Sequence, residues 1–99
     1  MADLRVRNND GASRYEIRSD GKLAGFAAYH QENGEIQFTH TEIDPTFRGE
    51  GIGSALAELA LTDAASTGDT LVPYCPFIAA YLREHEIPGA SVRWPEVEE

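Results

Sequence analysis

The sequence predicts an α+β fold, an antiparallel meander of strands followed by a β-α-β-α run, and three observations carry that prediction. Apolar and charged residues alternate through the N-terminal part of the chain, which is the period of a strand. Two turn signals, Asp20-Gly21 and Asn33-Gly34, punctuate the alternation. Beyond Asp44-Pro45 the apolar period lengthens to that of a helix.

Each element follows in order. Leu4 and Val6 alternate with Arg5 and Arg7, and Tyr15 and Ile17 alternate with Arg14, Glu16 and Arg18, which predicts two half-buried strands. Asp20-Gly21 predicts a hairpin because both residues tolerate the positive φ of a type I′ turn. A strand over Lys22 to His30 comes next. Glu32-Asn33-Gly34 turns the chain into a further strand, Glu35 to Ile43, with Ile36 and Phe38 expected on the same face as His40 and Glu42. Ile52, Ala55, Leu56, Leu59 and Ala60 fall on one side of a helix, Asp63 interrupts that stripe late, and Gly68 is the expected C-terminal cap. Thr70 to Tyr74 is apolar and β-favouring, Pro76 suits a first helical position, and Phe77 to His85 forms a second helix stopped by Pro88-Gly89. After a helical crossover the last strand is expected to lie parallel to its neighbour. Trp94 has no periodic context and is expected to fold back onto the core.

At 99 residues the chain is expected to be a single domain over 1–99, since this length buries only about 60–68% of the unfolded surface. The hydrophobic fraction is 41% and no apolar run approaches the roughly 20 residues of a membrane span, so no membrane partner is expected. The N-terminus alternates charged and apolar residues without the apolar centre of a secretory signal, which predicts a cytoplasmic protein. Cys75 is the one cysteine, so neither an internal disulfide nor a Cys-rich metal site supports the fold. No metal is implied, because His40, Glu42 and His85 lack zinc-ligand spacing. The formal net charge is −9 with eight scattered Lys and Arg residues, which argues against nucleic acid and favours cationic amines at the surface.

Arg48-Gly49-Glu50-Gly51-Ile52-Gly53 sits between a strand and an amphipathic helix. Unpaired N–H groups and the positive end of the helix dipole make that junction a site for an anion. Glycines remove the Cβ atoms that would hold a pyrophosphate away from the backbone, Arg48 adds a forked donor, and Ser54 adds a hydroxyl. A nucleotide-triphosphatase loop would need a lysine after its last glycine, and here Ser54 follows Gly53 directly. A dinucleotide fingerprint would need G-x-G-x-x-G in a mainly parallel fold, which this loop after a meander does not provide.

Arg48, Gly51 and Gly53 in an Arg-x-x-Gly-x-Gly pattern after Ile43-Asp44-Pro45 resemble the coenzyme A-binding motif of the GNAT superfamily of N-acetyltransferases. Phe38-x-His40-Thr41-x-Ile43, the loop, and Val72-Pro73-x-Cys75-Pro76-Phe77 with Tyr81 and His85 are similar to the small, stand-alone members. The resemblance implies a minimal GNAT-like fold in which the strand before the loop splays from the next one and the pantetheine arm of acetyl-CoA lies in the gap. It implies that Thr41 and Ile43 run along pantetheine and that amides of Gly49, Glu50, Gly51, Ile52, Gly53 and Ser54 hold the pyrophosphate. Larger members wall the acceptor site with two N-terminal helices and two C-terminal strands, where this chain has a hairpin and a short tail. In many members a tyrosine on the last helix protonates the leaving thiolate; here Leu82 falls at that place and Tyr81 one residue off.

The activity implied is acetyl-CoA-dependent transfer to an amine acceptor, a small molecule or a protein, by a monomer or weak homodimer. His40 and Glu42, two residues apart on one strand, are the candidate bases. Cys75, at the expected N-terminus of the second helix where the dipole favours thiolate, is a candidate for a covalent acetyl-cysteine route. A non-catalytic acyl-CoA-binding module is the alternative.

Overall fold

The computed structural model describes residues 3–47 and 49–95. Five strands form one sheet in chain order: β1 (Leu4–Asn9), β2 (Arg14–Ser19), β3 (Lys22–Glu32), β4 (Glu35–Ile43) and β5 (Thr70–Pro73). Two α-helices, α1 (Ile52–Ser66) and α2 (Pro76–Glu84), follow β4 and β5 respectively. The first four strands are antiparallel, and β5, reached through α1, lies parallel to β4. Asp20 and Gly21 have φ of 49° and 84°, and Asn33 and Gly34 have 49° and 77°, the paired positive values of type I′ hairpins. β3 runs past the expected His30 because Gln31 and Glu32 still pair with Ile36 and Glu35.

α1 packs on the sheet face that carries Tyr15, Ile17, Ala27 and Phe38, all buried. Its alanines suit both the helix and the close approach to the sheet. The buried stripe is Ile52, Leu56, Ala57, Ala60, Leu61 and Ala64, whereas Leu59, expected inside, is 42% exposed. The helix meets the sheet along its i, i+4 rows, so Ala57 and Leu61 take the places assigned to Ala55 and Leu59. Asp63, which interrupts the expected stripe, has a partner: its carboxylate accepts the Tyr15 hydroxyl at 2.8 Å. Gly68, with φ of 87°, follows the helix end, and its N–H donates to the Ala65 carbonyl at 3.1 Å.

The expected common face of Ile36, Phe38, His40 and Glu42 is not observed. Phe38 pairs with Tyr29 and His40 with Ala28, so Thr39 is an extra residue in β4, a β-bulge that reverses the alternation after it. Ile36 and Phe38 are buried under the helices, and beyond the bulge Thr41 and Ile43 take that side. His40 and Glu42 point to the opposite face, beside Phe26, whose ring centroid lies 6.0 Å from that of His40.

Trp94 does not fold onto the core. It is 44% exposed and lies 5.2 Å from the Arg83 guanidinium on α2, measured to the ring centroid. The segment before it is held along β5 by the Leu71 N–H to the Ser91 carbonyl at 2.8 Å and the Arg93 N–H to the Leu71 carbonyl at 2.9 Å. That register turns Val92 toward the core and carries Trp94 past it. Among the described residues no helix is long and apolar enough to cross a membrane.

Candidate functional site

β4 and β5 are paired only over Glu35–Phe38 against Thr70–Pro73. The Phe38 carbonyl then accepts two N–H groups, from Tyr74 at 3.0 Å and from Cys75 at 2.8 Å, which closes the apex of the pair. Beyond that point β4 continues to Ile43 while the other chain turns into α2, so the two part. Pro76 helps: it occupies the first turn of α2, where its missing N–H costs nothing, and it prevents the strand from continuing.

The gap opens onto a cavity of about 410 Å³ between the end of β4 and the start of α1, lined by Ile43, Pro45, Phe47, Gly51, Gly53, Ser54 and Phe77 among others. Gly49 and Gly51 have φ of 86° and 72°, a left-handed backbone that side chains disfavour. Gly51 is the residue before the first turn of α1 and makes no side-chain cap. The first helical bond runs from the Ala55 N–H to the Gly51 carbonyl at 3.1 Å, so the amides of Ile52, Gly53 and Ser54 precede it and have no intrahelical acceptor. With the helix dipole they form an anion site. Gly53 serves a different need: a Cβ there would lie 2.9 Å from Cζ of Phe77.

The expected site residues divide on this geometry. Gly49, Gly51, Ile52, Gly53 and Ser54 line the cavity together with Ile43. The Ile52 side chain is 2% exposed and belongs to the core, leaving its amide as the available group. The Glu50 N–H donates within the loop to the Phe47 carbonyl at 3.3 Å, which sets it apart from the amides at the start of α1. Arg48 lies outside the described residues. Thr41 sits in the gap, where its hydroxyl accepts from the Cys75 Sγ at 3.4 Å. Cys75 is 4% exposed at the N-cap of α2, so the structure brings Thr41 and Cys75 together at the apex.

His40 and Glu42 lie across the sheet from that pair, with Nε2 of His40 3.8 Å from Oε2 of Glu42 and both side chains more than half exposed. Glu42, but not His40, lines a second cavity, which shares Ile43, Asp44 and Pro45 with the loop cavity. Phe77 was not singled out as a site residue from the sequence. Its signal was its place directly after Pro76, which puts it on the first turn of α2 facing the first turn of α1.

Tyr81 is partly buried, its ring stacked on His85 with centroids 4.1 Å apart. Burial first, and then the Glu58 carboxylate, raises its hydroxyl above the ordinary tyrosine range. It does not line either cavity at the end of β4. Among the described residues no group of three His, Cys, Asp or Glu side chains is placed to hold a metal ion.

A parallel strand pair that parts beside a glycine-capped helix N-terminus is the arrangement that the GNAT resemblance implies, and comparison with known proteins agrees. The family model described as GCN5-related N-acetyl-transferase matches residues 14–88, and the chain belongs to that family of acyltransferases. The solution NMR structure of a GCN5-like protein from Staphylococcus aureus shares the fold, with a TM-score of 0.68 at 19% identity over 97% of this chain and 94% of that one. No curated protein matches the chain.

Proposed function

We propose that the chain transfers the acetyl group of acetyl-CoA to an amine. The observation that carries this reading is the parting of β4 from β5 directly above the glycine-capped start of α1, which gives one continuous wall for an acyl chain and a polyphosphate. The amides of Gly51, Ile52, Gly53 and Ser54 hold the pyrophosphate, with Arg48 as an added cation, and the edge of β4 from Thr41 to Ile43 holds pantetheine. Phe77 closes the cavity on the α2 side.

Bound acetyl-CoA supplies a thioester carbonyl for the amine to attack. A C–N bond forms, the C–S bond breaks, and the ammonium form of the acceptor gives an amide, a free thiol and one released proton. Glu42 or His40, both more than half exposed, takes that proton and releases it to solvent. The chain acts as a monomer or weak homodimer in the cytoplasm.

One observation favours a second route: Cys75 lies at the apex of the gap, bonded to Thr41, on the side the thioester would occupy. In that route its sulfur attacks the thioester, the C–S bond to CoA breaks and CoA leaves as the thiol with the cysteine proton; the amine then takes the acetyl group and the cysteine thiol is restored. Cys75→Ala separates the two, since unchanged turnover leaves direct transfer standing, whereas loss of turnover with a hydroxylamine-labile acetyl adduct on the parent chain supports the covalent route.

The central test is binding. At about 100 times its dissociation constant, acetyl-CoA should add roughly 2.7 kcal/mol of stability in thermal melts. No shift with acetyl-CoA, CoA or longer acyl-CoAs overturns the proposal, and binding without transfer to any amine reduces the chain to an acyl-CoA-binding module.

A further inference from the structure

The second cavity, of about 360 Å³, lies between the start of β3 and the end of β4. Its wall is apolar at Leu23, Phe26, Ile43 and Pro45 and carries carboxylates at Glu42 and Asp44, with no Lys or Arg among its described lining residues. Gly25 fixes its floor: a Cβ there would lie 2.6 Å from the Glu42 carbonyl oxygen and 2.7 Å from Cδ1 of Ile43, so only glycine lets β3 and β4 meet this closely.

The two carboxylates are not equivalent. Oδ1 of Asp44 accepts the Thr46 N–H at 2.9 Å, inside its own turn. Among the described residues Glu42 has only His40, at 3.8 Å, a distance beyond hydrogen bonding. Glu42 is therefore the anion left to meet a ligand, at the rim of an apolar cavity that shares a wall with the loop cavity.

We propose that this cavity takes the acetyl acceptor and selects a primary amine on an apolar body, with its ammonium on Glu42 and an aromatic or branched aliphatic group against Leu23, Phe26 and Pro45. The inference rests on the transferase reading above. The size and lining are those of small-molecule sites, mostly apolar with a few convergent polar groups. An α-amino acid would bring its carboxylate against Glu42 and Asp44, while the Arg14 guanidinium, 4.5 Å from the centroid of the Phe26 ring, is already bonded to Glu16. A polyamine would meet Asp44, whose Oδ1 already accepts the Thr46 N–H, with its second ammonium, and would bring no apolar body to match Leu23, Phe26 and Pro45.

The test is calorimetric titration of the full chain with 2-phenylethylamine, phenylalanine and spermidine, with and without CoA. 2-Phenylethylamine should bind about tenfold more tightly than either rival, as expected of a hydrogen bond to a charged group. Glu42→Gln should weaken it by about tenfold, and Leu23→Ser by severalfold; both positions are exposed enough to leave folding intact. Equal binding of phenylalanine, preference for spermidine, or unchanged affinity in both variants overturns the proposal. If acetyl-CoA fails to bind while 2-phenylethylamine keeps this preference, the transferase reading falls and the amine site stands. If acetyl-CoA binds and no amine does, the amine site falls and the donor site stands.

Discussion

At single positions the loop glycines answer to two different constraints, and each gives its own prediction. Gly51 is left-handed with open space where a Cβ would project. Gly51→Val should therefore cost about 1–3 kcal/mol from backbone strain, and should abolish acetyl-CoA binding because the new side chain enters the cavity. Urea denaturation and calorimetric titration read the two effects separately, and parental affinity in folded Gly51→Val would remove the loop from the ligand site. Gly53 instead needs room for Phe77, whose ring is 42% exposed and free to turn. Gly53→Ala should thus change stability little, by less than about 1 kcal/mol, while weakening acetyl-CoA binding through the displaced ring.

Between elements, polar ties set how the sheet, and with it the end of β4, is held. The Tyr15 hydroxyl bonds Asp63 across β2 and α1, and burial first, then that bond and the Asp63 charge, raises its pKa far above the ordinary value. A raised folded pKa gives stability that is complete below the unfolded tyrosine value of about 10 and is lost as pH climbs beyond it. Tyr15→Phe should cost about 0.5–1.5 kcal/mol near neutral pH and flatten the alkaline limb of the melting curve.

Glu16 has the opposite sign. The Asn9 amide first, then Arg14, holds its carboxyl below the usual range, on the outer face shared with Phe26. Its contribution is complete above the unfolded carboxyl value of about 4.3 and is lost as pH falls through the lower folded value. Glu16→Gln should flatten the acid limb in melts taken from about pH 3 to about pH 7, and an unaltered limb would exclude Glu16 as its source.

Over the whole molecule, the proposed donor is a polyanion and the chain carries a net charge of −9. The binding donors are then short-range amides within a surface field that repels the ligand. Association of acetyl-CoA should speed up as ionic strength rises from about 10 mM to about 150 mM, because salt screens the long-range repulsion more than the buried contacts. Stopped-flow rates test this, and a rate that falls with salt would mean that local basic charge, including Arg48, outweighs the net field.

The sequence alone determined the strand and helix order, the two hairpin turns and the glycine loop, because each depends on local period or on φ values that a few residues decide. Its family pattern, from Phe38 to His85, falls within the matched stretch of residues 14–88. Tertiary structure alone decided three things that period cannot encode. The bulge at Thr39 separates His40 and Glu42 from Phe38, since an extra residue in one strand is visible only against its partner. The Glu50 amide bonds the Phe47 carbonyl because the loop closes on itself. Phe77 reaches Gly53, and Trp94 reaches Arg83 and not the core, through contacts between segments distant along the chain.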